Sequence, residues 1–66
     1  MKPTKRELLL LEVLSALGGR ATCQQIADKA GLEVNEVSKT LGQMYWDRLV
    51  WRAYSDVETE DVYTIR

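Results

Sequence analysis

Polar side chains that can hydrogen-bond to a flat partner recur at helical spacing in the middle of the chain. They are Asn35, Ser38, Lys39 and Gln43, and on a helical wheel they share one face with Gly42 and Trp46. Asparagine and glutamine amides pair with adenine edges, serine with several base acceptors, and lysine with guanine or phosphate. Because glycine has no side chain, Gly42 would let the helix backbone approach such a partner closely. We predict that this face contacts the major groove of DNA; the simpler alternative is a solvated helix surface without a partner.

Two short helices joined by a tight turn are expected to position this face. Helix 2 is predicted over 23–30, because Thr22 and Gln25 have the spacing of a capping box. The turn follows at Gly31, and helix 3 is predicted over 34–48. Two helices joined so tightly must cross steeply, and the second then projects from the domain. This is the geometry by which a helix enters a major groove.

Helix 1 is predicted over 5–17, between a second capping box at Thr4 and Glu7 and a pair of glycines that ends it. The apolar stripe expected to face the core consists of Leu10, Val13, Leu14 and Leu17. Leu8 and Leu11 fall toward the opposite side of the wheel. We therefore predict that these two leucines contact a second copy of the chain or another partner.

The periodicity changes after Arg48, where β-branched and aromatic residues become frequent. Strands are predicted over 49–54 and 62–65, joined by an acidic loop. Three helices followed by a β-hairpin make one domain over residues 1–66, of class α+β and mainly α. The core is expected to depend on one residue from each helix, namely Leu14, Ile26 and Leu41.

The order of these elements resembles that of winged helix-turn-helix domains, which occur in many small prokaryotic and phage regulators. The matching positions are Val13, Leu14 and Leu17 in helix 1, 22–27 at the start of helix 2, Gly31 and Leu32 in the turn, Val37, Ser38 and Leu41 in helix 3, and Leu49 and Val50 before the hairpin. The resemblance implies that helix 3 reads the major groove, and that the hairpin, called the wing, touches the DNA backbone or minor groove. Two features depart from the family pattern. Arg48 stands where glycine usually precedes the wing, and the wing turn over 56–61 is acidic.

The charge of the chain is unusual for this interpretation. The net charge is −1, whereas DNA-binding domains are usually basic because phosphate contacts dominate their affinity. Residues 1–32 balance at +2 and residues 33–66 at −3. In the more basic half, phosphate contacts are predicted at Lys2, Lys5, Arg6 and Arg20, with ordinary solubilising charge as the alternative. Arg52, on the first wing strand, is expected to contact the DNA backbone or else to pair with the wing acids, which would themselves repel phosphates.

Two tryptophans lie on either side of the corner before the wing. Trp46 projects to the same side as Asn35, and Trp51 lies on the adjoining strand, so the two indoles are expected to pack over Arg48. They form either a local cluster that holds the wing or an exposed aromatic patch for a protein partner or a second copy. Cys23, in the first turn of helix 2, is better explained as a small, partly buried residue than as a redox thiol.

Composition argues against several other classes of protein. One cysteine and no histidine leave no disulfide framework and no multi-cysteine zinc site. Because no nucleophile–base combination or phosphate-binding glycine loop is present, we expect neither an enzyme nor a cofactor. The apolar run over 8–11 is too short to cross a membrane and does not fit a signal peptide, so a cytoplasmic protein without membrane contact is expected.

The favoured hypothesis is a sequence-specific protein for double-stranded DNA, a transcriptional regulator that reads the major groove through helix 3. Because one module this small and weakly basic would bind weakly, a homodimer reading two half-sites is expected. The alternative is a winged-helix module for protein–protein interaction, with an acidic wing and little DNA binding. A third option is an accessory factor that contacts both DNA and a partner enzyme.

Overall fold

The computed structural model describes residues 3–66, which fold into three helices and one antiparallel sheet. In chain order the elements are α1 (Lys5–Ala16), β1 (Arg20–Thr22), α2 (Cys23–Ala30), α3 (Val34–Trp46), β2 (Val50–Ser55) and β3 (Glu60–Ile65). The sheet has the order β1-β3-β2. The predicted fold class, three helices followed by a β-hairpin, is confirmed.

Both predicted capping boxes are present. The Glu7 backbone N–H donates to Thr4 Oγ1 at 3.2 Å, and the Thr4 N–H donates to Glu7 Oε1 at 2.8 Å. Thr22 and Gln25 make the same reciprocal pair at 3.2 and 3.0 Å. Each box satisfies two backbone groups at the start of its helix. The α2–α3 turn begins at Gly31, whose φ of 71° is the left-handed conformation that glycine adopts without strain.

Strand β1 was not predicted from the sequence. It has only three residues, and its pairing with β3 places Ala21 opposite Tyr63, both buried. The Ile65 N–H also donates to the Gly19 carbonyl at 3.0 Å. So short a strand carries no alternating pattern of its own. It exists because β3, whose paired residues are 40 to 44 positions away in the chain, supplies its hydrogen bonds.

The corner between α3 and the hairpin is tighter than predicted. Helix α3 ends at Trp46 rather than near residue 48, and the Leu49 N–H bonds back to the Met44 carbonyl at 2.8 Å. Arg48 has a φ of 61°, so it occupies the left-handed region in which the resembling family usually has glycine. A side chain there costs about 1–2 kcal/mol relative to an ordinary helical backbone.

The core lies where the three helices meet the inner face of the sheet. Its buried members are Leu10, Val13, Leu14, Ala21, Ile26, Ala27, Val37, Leu41, Met44, Val50 and Tyr63. The three residues expected from the sequence, Leu14, Ile26 and Leu41, are all 0 % exposed. Each helix therefore contributes the core residue that its periodicity predicted.

The second face of α1 is less apolar than predicted. Leu8 is 52 % exposed, but Leu11 is half-buried and packs against the core. The two leucines therefore do not form one exposed patch, because the cluster reaches farther around α1 than a single stripe. Among residues 3–66, no helix combines the length and apolar character needed to cross a membrane.

Replacing Leu41 with alanine is expected to lower the free energy of unfolding by roughly 2–5 kcal/mol, because it empties fully buried volume. Urea denaturation followed by circular dichroism measures the change. Leu8→Ala is the matched control, since it removes the same atoms from an exposed site and should alter stability by only about 0.5 kcal/mol. Equal stabilities of the two variants would contradict the orientation of α3.

Candidate nucleic-acid interface

The face of α3 directed away from the core is open to solvent. Its polar members Asn35, Ser38, Lys39 and Gln43 are all exposed. The opposite stripe of the same helix, Val37, Leu41 and Met44, is buried. Gly42 is half-buried, and a methyl group placed on it would meet no heavy atom within 4 Å. A flat partner can therefore approach both the side chains and the backbone of α3.

The polar groups on this face differ in how far they are already engaged. Gln43 Nε2 donates to Asp47 Oδ1 at 3.2 Å, so a partner that binds this amide must replace that bond. Ser38 is the residue on this face that acts on Cys23 of α2, because burial raises the pKa of that thiol and Ser38 acts more weakly in the opposite direction. Within residues 3–66, the side chains of Asn35 and Lys39 make no hydrogen bond or ion pair.

Two of the arginines predicted to contact phosphate are already paired with carboxylates. Arg6 Nη1 lies 3.1 Å from Glu36 Oε2 and joins α1 to the first turn of α3. Arg20 holds both carboxylate oxygens of Glu58 at 3.2 and 3.4 Å. Such exposed pairs contribute about 0–1 kcal/mol. A phosphate can therefore replace the carboxylate, but these arginines do not present uncompensated positive charge.

Arg52 is held by the hairpin and by α3. Its guanidinium carbon lies 4.7 Å from the centroid of the Tyr45 ring, and its Nε lies 4.0 Å from Asp61 Oδ2. Burial raises the pKa of the Tyr63 hydroxyl, and Arg52 acts more weakly in the opposite direction. Of the two roles predicted for Arg52, pairing with a wing acid is the one that these contacts favour.

A surface pocket of about 330 Å³ lies between the start of α1 and the middle of α3. Lys39 and Arg6 line it together with Glu7, which is only 4 % exposed. Within the described residues, Glu7 Oε2 is buried and has no hydrogen-bond partner. The pocket therefore combines two basic side chains with one buried carboxyl group. Lys5 is exposed and has no ion pair within residues 3–66. Lys2 lies outside the described residues.

A second pocket, of about 440 Å³, is formed where α3 meets the base of the hairpin. Its lining comprises Tyr45, Trp46, Arg48, Val50, Trp51 and Arg66. The two tryptophans line the same pocket, and they are 81 % and 54 % exposed. The Arg66 guanidinium lies 3.9 Å from the centroid of Trp51. Arg48 and Arg66 were not predicted as members of a site, although the pairing of the two wing strands brings the end of the chain beside Trp51.

Comparison with solved structures agrees with this geometry, whereas two other comparisons found no match. No family model matches the chain, and no curated protein matches it. Among solved structures, the chain is similar to a MarR family transcriptional regulator from Silicibacter pomeroyi DSS, with a TM-score of 0.81 and 28 % sequence identity. The similarity covers 97 % of this chain and 42 % of the regulator, so the chain spans less than half the length of the protein that it matches.

The chain is a winged helix-turn-helix protein. In this fold α2 and α3 are the helix-turn-helix, and β2 and β3 are the wing. The solved structure that the chain is similar to is that of a transcriptional regulator.

The wing of this winged helix carries its charges at opposite ends. Arg48 and Arg66 lie at the base, and the turn holds the acidic residues together with Val57, which is 93 % exposed. Glu58 is paired with Arg20 and Asp61 lies near Arg52. Within residues 3–66, Asp56 and Glu60 have no ion pair. The tip of the wing therefore has negative potential, which opposes contact between the tip and phosphates.

The thiol of Cys23 is not activated. Burial raises its pKa, and hydrogen bonds with Ser38 and Tyr63 act more weakly in the opposite direction. The thiolate is the reactive form of cysteine, so a raised pKa makes this residue less reactive. Cys23 therefore acts as a packing residue between α2, α3 and β3.

The Arg20–Glu58 pair is expected to make stability depend on pH. Hydrogen bonds from Ser55 and Arg20 hold the pKa of Glu58 below its usual value. Its stabilising contribution is therefore present above the unfolded-state pKa of about 4.3, and it is lost as the pH falls through the lower folded-state pKa. Urea denaturation at pH 7 and pH 3 should show a smaller loss of stability on acidification for Glu58→Gln than for the wild type.

Glu60→Gln is the matched control for this measurement, because Glu60 is two residues away and has no ion pair within residues 3–66. It should retain the wild-type dependence on pH. If Glu58→Gln and Glu60→Gln respond alike, the pairing of Glu58 does not contribute to stability.

Proposed function

We propose that this winged helix is a sequence-specific DNA-binding protein, a transcriptional regulator that reads the major groove through α3. The observation that carries the proposal is the exposed polar face of α3. It bears four hydrogen-bonding side chains and an open glycine, on a fold shared with a transcriptional regulator. The side chains proposed to read bases are Asn35, Ser38, Lys39 and Gln43.

The dimensions of α3 suit this role. Its 13 residues extend for about 20 Å at 1.5 Å per residue, and a major groove about 12 Å wide admits one helix. Asn35, Ser38 and Lys39 lie in its first half, the part of a recognition helix that contacts base edges. Of these, Asn35 and Lys39 need break no internal bond to do so.

The net charge of the chain makes the proposed DNA binding depend on the salt concentration and on a second copy of the chain. Lys5 and Lys39 are ready to contact phosphates, whereas Arg6 and Arg20 must first exchange a carboxylate partner. With a net charge of −1, one domain would bind non-specific DNA weakly. We therefore propose that the protein binds double-stranded DNA as a homodimer in which two α3 helices read two half-sites.

A protein-interaction module is the second candidate, and the exposed aromatic residues favour it. Trp46 and Trp51 are 81 % and 54 % exposed beside an acidic wing, and exposed tryptophans are typical anchors of protein interfaces. The dependence of binding on salt distinguishes the two candidates. Affinity for DNA falls steeply as salt rises when phosphates are contacted. An interaction module would show no measurable DNA affinity at any salt concentration.

Asn35→Ala is expected to weaken binding to a selected DNA site by about 1–3 kcal/mol and to leave binding to random DNA unchanged, because asparagine reads base edges. Fluorescence anisotropy against both DNAs measures the two affinities, after in vitro selection has supplied the specific site. Lys5→Ala is the comparison variant. It should weaken both affinities similarly and reduce the salt slope by about 1, because it removes a phosphate contact. Equal losses for Asn35→Ala on both DNAs would contradict base reading by α3.

Gly42→Ala tests whether the backbone of α3 approaches DNA. In the protein alone it should raise the free energy of unfolding by about 0.5–1 kcal/mol, because alanine favours a helix and its methyl group meets nothing. In the complex the same methyl group should reduce specific affinity. Thermal melts and anisotropy report the two effects separately. A variant that is more stable and binds DNA unchanged would show that the helix backbone stays away from the groove.

A further inference from the structure

Within residues 3–66, strand β2 has one neighbour in the sheet, so its second edge is open. In the order β1-β3-β2, its six residues pair with β3 on one side only. An open edge presents unpaired N–H and C=O groups to any other strand. The open edge of β2 is therefore a candidate binding site for another strand.

The hydrogen bonds of the hairpin show which groups point outward. The Arg66 N–H donates to the Leu49 carbonyl at the base of the wing. In an antiparallel pair the bonded positions alternate, so Trp51, Ala53 and Ser55 direct their backbone groups toward β3. The groups of Val50, Arg52 and Tyr54 then point to the open edge. The Ile65 N–H, which bonds to Gly19 on the other side of β3, agrees with this alternation.

The edge lacks the devices that usually protect a strand from pairing. Natural proteins place proline, bulges or several charged side chains on such edges. Strand β2 has no proline, and its single charged residue, Arg52, is stacked on Tyr45 of α3. Trp51 and Tyr54 are 54 % and 63 % exposed along the same strand. The edge is therefore regular, apolar and accessible.

We propose that the open edge of β2 pairs antiparallel with β2 of a second copy, about a twofold axis at Ala53. The proposal concerns self-association and does not depend on DNA binding. Outward-facing residues must oppose one another in such a pair. Placing Arg52 opposite Arg52 would set like charges together, which is destabilising. Placing Tyr54 opposite Tyr54 would use only the end of the strand. Registers centred on Val50 or Trp51 would pair at most three residues at the start of β2. The register centred on Ala53 sets Arg52 opposite Tyr54 and pairs residues 51–55 in full.

Charge complementarity supports a second copy as the occupant. Antiparallel pairing lays the acidic tip of one wing beside the cationic base of the other, twice per dimer. In the proposed register Trp51, which carries the Arg66 guanidinium, lies opposite Ser55 of the second copy. Asp56 and Glu60, which have no ion pair within residues 3–66, adjoin Ser55 in the hairpin. The register therefore brings opposite charges toward each other at both ends of the interface.

Disulfide trapping tests the register directly. At the twofold axis, the two copies of residue 53 form a non-hydrogen-bonded pair with Cα atoms about 4.5 Å apart, a separation that a disulfide can bridge. Ala53→Cys in a Cys23→Ser background should form a covalent dimer on mild oxidation. Ser55→Cys, on the same strand, and Ala16→Cys, exposed on α1, should form it far more slowly. Equal rates for the three variants would overturn the proposed register.

Sedimentation equilibrium without DNA tests the interface by a second route. Tyr54→Pro removes an outward N–H and leaves the bonds between β2 and β3 intact. Two edge hydrogen bonds per dimer are then lost, and the dissociation constant should rise by about ten- to a hundredfold. Tyr54→Thr, which keeps the N–H, should remain closer to the wild type, and circular dichroism checks that both variants fold.

Two outcomes of the sedimentation experiment would overturn the proposal. One is a wild type that stays monomeric at hundred-micromolar concentration. The other is a dimer that Leu8→Glu dissociates and Tyr54→Pro does not, which would place the contact on α1. Neither outcome bears on base reading by α3, because the DNA affinities of Asn35→Ala are measured separately.

Discussion

Burial of one stripe of α3 is the interaction on which the rest of the structure depends. Val37, Leu41 and Met44 are each 0 % exposed, and they recur at the spacing that places them on one side of a helix. A chain of 66 residues buries a smaller fraction of its surface than a larger protein does, so each buried stripe is a large part of its core. The same packing that stabilises the fold also sets the rotation of α3 about its axis, and the polar face is exposed as a consequence.

Tyr63 connects this core to the wing. It is 4 % exposed on the central strand, opposite Ala21 of β1 on one side and Arg52 of β2 on the other. Burial raises the pKa of its hydroxyl, and both Cys23 of α2 and Arg52 of β2 act on that pKa. The buried ring belongs to the same core cluster as residues of all three helices, so the wing is packed against the helix-turn-helix.

The distribution of acidic and basic residues at the surface restricts which partners this winged helix can bind. Arg6 and Arg20 are paired with acids inside the molecule, so a basic residue in the sequence is not the same as positive potential at the surface. The charged residues of the wing that have no ion pair within residues 3–66 are segregated, with arginines at the base of the wing and carboxylates at its tip. A segregated hairpin interacts favourably with an antiparallel copy of itself and unfavourably with phosphates at its tip. The proposed self-association at this edge and the proposed groove contact through α3 therefore use different surfaces.

Local sequence was sufficient for the elements that depend on near neighbours. Both capping boxes and the turn at Gly31 involve residues at most four apart, and the core stripes follow from helical periodicity. These features predicted the three helices, the wing and the outward face of α3. They also predicted which leucine or isoleucine of each helix would be buried.

Tertiary structure alone decided the features that need partners far along the chain. Strand β1 forms because β3 supplies its hydrogen bonds, and Leu11 is half-buried because the core extends around α1. The partners of Arg20 and Arg66 lie 38 and 15 residues away, at Glu58 and Trp51. Side-chain type and helical periodicity indicate what a residue can bind. The register of the sheet determines which other residues of the chain it contacts. For that reason the sequence determined the face that could read DNA, and only the fold decided which charges that surface retains.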